Sequence, residues 1–96
     1  MGSFKNKKTD IQKDENNFLT FKDLVEVCIN SMPEGGLNVS DMKIRLNIMA
    51  QIENANGIIK IVGSAEKETL KTCVASMKWR VLHKHVVEFV EAVDKM

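Results

Sequence analysis

Nowhere in the 96 residues does an apolar run approach the roughly 20 residues that cross a bilayer, and the first residues lack the continuous apolar core of a signal peptide. A cytoplasmic protein with no membrane contact is expected; Gly2 suggests myristoylation, but Asn6 stands where that motif wants Ser or Thr. An excess of one charge is missing too: 14 Lys and Arg face 13 Asp and Glu, a formal net charge of +1. Such a chain has no global field to draw it to nucleic acid or an anionic surface, so charged recognition must come from local clustering. Cysteine is scarce, and Cys28 and Cys73 both fall on apolar helical faces, which favours buried reduced thiols over a disulfide framework. There is no glycine-rich phosphate loop, no serine elbow and no visible pair of carboxylates in an apolar setting, so an enzyme is not expected.

What is present has the balance of one small globular domain, with 44% hydrophobic and 28% charged residues. Residues 1–17 are polar apart from Phe4 and Ile11 and are expected to be a disordered tail, leaving 18–96 as a single helical domain. Thr20 followed by Asp23 is a capping pair, and Phe21, Leu24, Val25, Cys28 and Met32 recur at helical spacing until Pro33 and two glycines impose a turn. Asn38 or Ser40 caps a second helix over 40–56, where Met42, Ile44, Leu46, Ile48, Met49, Ile52 and Ala55 spread around more than half of the wheel. A helix this apolar in so small a protein must be central to the fold or bury its surplus face in a partner.

Asn56-Gly57 then reads as a helix C-cap, and the β-branched run 58–62 as one short strand. Its partner is either 37–39, making a small ribbon, or the same edge of a second copy. Ser64 caps a third helix carrying Leu70, Cys73, Val74 and Met77; a last stripe of Leu82, Val86, Phe89, Val90 and Val93 is out of step with it, which predicts a kink or turn between Trp79 and Lys84. The expected fold is thus mainly α: a bundle of about four helices with one strand or two-stranded ribbon between helices two and three.

The densest chemistry lies at residues 77–85. There the one tryptophan and both histidines stand among Lys78, Arg80 and Lys84, with Lys71 one or two turns earlier. A basic cluster around a stacking aromatic is one way to hold nucleic acid, so Lys71, Lys78, Trp79, Arg80, His83, Lys84 and His85 form a candidate surface for it, alongside the plainer role of Trp79 as a lid on the core. His83 and His85 resemble a metal pair, but two residues apart they diverge by about 200° on a helix and converge only with difficulty in a strand, so neither a metal nor another cofactor is expected. Asn54 to Ile59 echoes part of a calcium loop, yet Ile52 and Gly63 occupy its outer ligand positions.

The methionines and the over-apolar second helix point instead to burial of surface in a protein partner or in a second copy, through Ile44, Ile48, Met49 and Trp79. In texture, Met42-Lys-Ile-Arg-Leu46, Asn56-Gly-Ile-Ile-Lys-Ile61 and Met77-Lys-Trp79 with Phe89-Val90 resemble small accessory proteins encoded by tailed bacteriophages, over roughly 18–93. That resemblance implies a virion-assembly or host-interaction role in the host cytoplasm and supplies no site residues. The leading expectation is a self-associating, non-enzymatic interaction module, with small nucleic-acid-binding protein as the alternative.

Overall fold

A computed structural model describes residues 3–33, 35–53, 55, 57–79 and 82–96. In chain order the elements are β1 (Ser3–Lys5), β2 (Lys8–Asp14), β3 (Asn17–Thr20), α1 (Phe21–Asn30), α2 (Val39–Ile52), β4 (Ile58–Lys60), α3 (Ser64–Ser76) and α4 (Lys84–Asp94). The capping signals of the first two helices act as their chemistry dictates. Thr20 and Asp23 form a reciprocal capping box, each side chain taking the other's backbone N–H. Asn38 Oδ1 accepts the Asp41 N–H at 2.8 Å and starts α2. Ser64 does not cap the third helix: it is the first helical residue, and Gly63, at φ 107° and with no side chain to accept a bond, holds the N-cap position. The last two apolar stripes belong to separate helices, because the backbone is extended at Met77 and again at His83. Asn56, of the anticipated C-cap, lies outside the described residues, as do Asn54 and Arg80.

Two corrections follow for the fold class and the tail. The fold is α+β: the described residues form four helices and two separate antiparallel two-stranded sheets, β1 with β4 and β2 with β3. It is not a helical bundle with one ribbon between helices two and three. Within the chain, the partner of the 58–62 strand is not 37–39, whose Val39 already belongs to α2. It is the N-terminal segment, with Phe4 opposite Ile59. Residues 3–14, expected to be a disordered tail, supply β1 and β2.

Specific bonds rather than composition hold this polar segment in place. Asn6 Oδ1 accepts the Lys22 N–H, and Lys7 C=O accepts the Phe21 N–H, so the turn between β1 and β2 satisfies two donors in the first turn of α1 that the helix itself leaves open. Thr9 is buried, with its hydroxyl donating to Leu19 C=O at 2.7 Å and accepting the Ile11 N–H. At the hairpin tip, Asp14 Oδ1 accepts the Asn16 N–H and an Asn17 amide N–H, an Asx-type turn.

The core lies between the helices and β4. Phe21, Leu24, Val25, Cys28 and Ile29 come from α1; Ile48 and Ile52 from α2; Leu70, Cys73 and Val74 from α3; Phe89 and Val93 from α4; Ile59 and Ile61 complete it. Aromatic rings converge at one end. Phe21 meets Phe89 edge-on at 5.4 Å, Phe4 reaches both, and Trp79 stands edge-on to Phe89 at 6.1 Å. Among the described residues no helix is long and apolar enough to cross a membrane.

Candidate functional site

The start of α4 places His83 outside the helix. Its backbone is extended (φ −146°, ψ 137°), and its Nδ1 accepts the His85 N–H at 3.1 Å, which caps α4. His85 is the second residue of the helix. Its own Nδ1 accepts the Asp10 N–H of β2 at 3.0 Å, 75 positions away in sequence. A ring nitrogen that accepts a hydrogen bond carries no proton, so in this geometry Nδ1 is the acceptor nitrogen of each ring and Nε2 the one left to carry a hydrogen. The rings lie 4.9 Å apart at 31°, and a carboxylate oxygen of Asp10 is 4.0 Å from His85 Nδ1. One ligand atom from each of Asp10, His83 and His85 falls within 4.8 Å of the other two. Asp10 is exposed and the histidines are half-buried.

The 200° divergence expected for the two histidines assumes that both lie in one helix. Because the helix starts between them, the extended residue and the helical residue turn their rings together. Asp10 is the third member that the sequence did not suggest, since it sat in a segment read as a tail. The available signal was the place of His83 just before an apolar helical stripe, where a side-chain acceptor is useful.

Several of the residues proposed for nucleic acid are engaged within the fold. Lys71 Nζ donates to the Met96 carbonyl at 3.3 Å, and Trp79 is half-buried against Phe89. Lys78 and Lys84 are exposed, and Arg80 lies outside the described residues. His83 and His85 engage each other and Asp10.

The residues proposed for protein contact are displaced inward. Ile48 is fully buried, Ile44 and Met49 pack half-buried against the core, and Trp79 covers Phe89. The large apolar side chains that α2 does present are Val39 (66% exposed), Met42 (45%) and Leu46 (63%). At 100° per residue these three fall within about 60° of one another, roughly opposite Ile44, Ile48 and Ile52. Met32, exposed in the preceding loop, and Leu37 flank the stripe and share a groove with Met42, Leu46 and Met49.

The thiols sit elsewhere, in a cleft of about 240 Å³ bordered by Cys28, Arg45, Thr72, Cys73 and Met77. Burial, with Cys73 nearby, pushes the Cys28 thiol up to about 12. Burial also raises Cys73, against the opposing pull of Arg45. Both therefore stay protonated at neutral pH, the wrong state for a nucleophile. Arg45 spans two elements: its guanidinium donates to the Ile29 and Ser31 carbonyls at 2.8 Å each, where α1 ends. No family model, no curated protein and no solved structure matches the chain.

Proposed function

We propose that the protein is a non-enzymatic interaction module that self-associates through the outer face of α2. The observation that carries this reading is the stripe of Val39, Met42 and Leu46. It is a second apolar face on a helix whose first face is already buried in the core. Isolated exposed apolar residues are ordinary, whereas three in helical register beside Met32 form a patch that water solvates poorly. Two copies related by a twofold axis would lay α2 against α2, each stripe covering the other. A role in assembly is also what the resemblance to phage accessory proteins implies.

One helical stripe is small beside the roughly 800 Å² per partner of a standard interface, so association is expected to be weak and concentration-dependent. Sedimentation velocity and light scattering on a dilution series up to about 1 mM should show a reversible rise in mass, because a dissociation constant at that level needs only about 4 kcal/mol. Leu46→Glu should abolish the rise and leave the circular dichroism spectrum unchanged. A chain that stays monomeric across the whole series overturns self-association. A monomer that binds a short oligonucleotide and releases it as salt rises would move the function to the exposed Lys78 and Lys84.

A further inference from the structure

We propose that Asp10, His83 and His85 form a binding site for a divalent transition-metal ion of the zinc class, which would clamp β2 to the start of α4. Two imidazoles and one carboxylate are a donor set that zinc, cobalt and nickel accept, with solvent completing the shell on the exposed side of Asp10. Around a tetrahedral zinc with bonds near 2.0–2.2 Å, ligand atoms stand about 3.3 Å apart. The three donors already lie within 4.8 Å, so closing on an ion takes shifts of about 1.5 Å or less, which side-chain rotation supplies.

Binding competes with hydrogen bonds. An ion at Nδ1 displaces the N–H donors of Asp10 and His85, and an ion at Nε2 moves the ring proton to Nδ1, where it meets the same donors. Asp10 is exposed, so its freed N–H can turn to water; the His85 N–H loses the N-cap of α4. The positive end of α4 and the exposed Lys84 also oppose a cation. These terms select the kind of ion. A hard ion held by charge, such as magnesium or calcium, needs more oxygen ligands than the single carboxylate here, whereas nitrogen-preferring ions gain enough from the two imidazoles.

The test titrates the full chain with zinc chloride by calorimetry and with cobalt chloride by visible absorption and ¹H NMR. One ion per chain is expected. The chain has only two histidines, so paramagnetic cobalt should shift the imidazole protons of both. Zinc at about 100 times its dissociation constant should raise Tm by more than about 10 °C. The informative variants are His83→Asn, which keeps a side-chain acceptor for the N-cap, His85→Gln and Asp10→Asn. Loss of partners that merely orient a metal's ligands costs roughly 10- to 100-fold in affinity, so each of these should cost at least about 100-fold. Metal-free circular dichroism of the three identifies those that remain folded. The proposal is overturned by absence of saturable uptake, by uptake that the folded variants retain, by equal competition from magnesium, or by an intense thiolate-to-cobalt band that places the ion on Cys28 or Cys73.

Discussion

The two helices α1 and α2 solve different problems with similar numbers of apolar residues. In α1 these residues form one stripe, and all but Val27 are buried, so the helix has a single way to face the core. In α2 they occupy opposite sides, and only one side can be inside. Packing against α3, α1 and β4 takes Ile48 and Ile52 and leaves Val39, Met42 and Leu46 in water. A helix with one apolar stripe is positioned by its own sequence, while a helix with two is positioned by its neighbours and keeps a face to offer.

The contrast can be sharpened by substitution. Ile48→Ala and Leu24→Ala, one on each helix and each fully enclosed, should destabilise the monomer by about 2–5 kcal/mol in urea unfolding. A thermodynamic counterpart on α1 is Cys28. Its thiol is raised from 9.0 to about 12 in the folded chain. The folded state then holds the proton more tightly than the unfolded state, so this contribution is complete below about pH 9 and is lost as pH rises toward about 12. Unfolding midpoints measured across that range should fall by an amount equivalent to up to about 4 kcal/mol, and Cys28→Ala should flatten the decline. Arg45→Met removes the charged donor that α2 lends to the carbonyls at the end of α1 and should cost about 1–3 kcal/mol. Thr20→Ala breaks the capping box of α1 at about 1 kcal/mol. Leu46→Ser, on the outer face of α2, should change the dilute monomer by no more than about 0.5 kcal/mol while weakening the concentration-dependent rise in mass. A large loss of monomer stability at Leu46 would break the comparison, because it would mean that both faces of α2 support the fold.

Features that depend on neighbouring residues were legible in the sequence. The Thr20–Asp23 pair, the Asn38 cap, the end of α1 before Pro33 and the stripe of α4 all follow from chemistry within one or two turns. The N-terminal strands were not legible, because nothing near Phe4 or Thr9 shows what they meet. Phe4 is ordered by Phe21 and Phe89, and Thr9 by a carbonyl ten residues on. The surplus apolar surface of α2 was foreseen, but its residues were assigned to the wrong sides, since a two-faced helix carries no phase that distinguishes inside from outside. Residues two apart diverge on one helix, and nothing local to the histidine pair shows that α4 starts at Lys84 and leaves His83 as its N-cap. The third member of that cluster, Asp10, was hidden by the same polar composition that concealed β2.

The pairing of Ser3–Lys5 with Ile58–Lys60, together with the contact of Phe4 with Phe89, also sets the order in which the chain can fold. Contacts that close large loops cost entropy before they return stability, and they slow folding. Synthesis runs from the N-terminus, so the first strand waits without a partner until residue 60 has been made, and the aromatic cluster until residue 89. The first strand is therefore a part of the fold that cannot close until most of the chain is present.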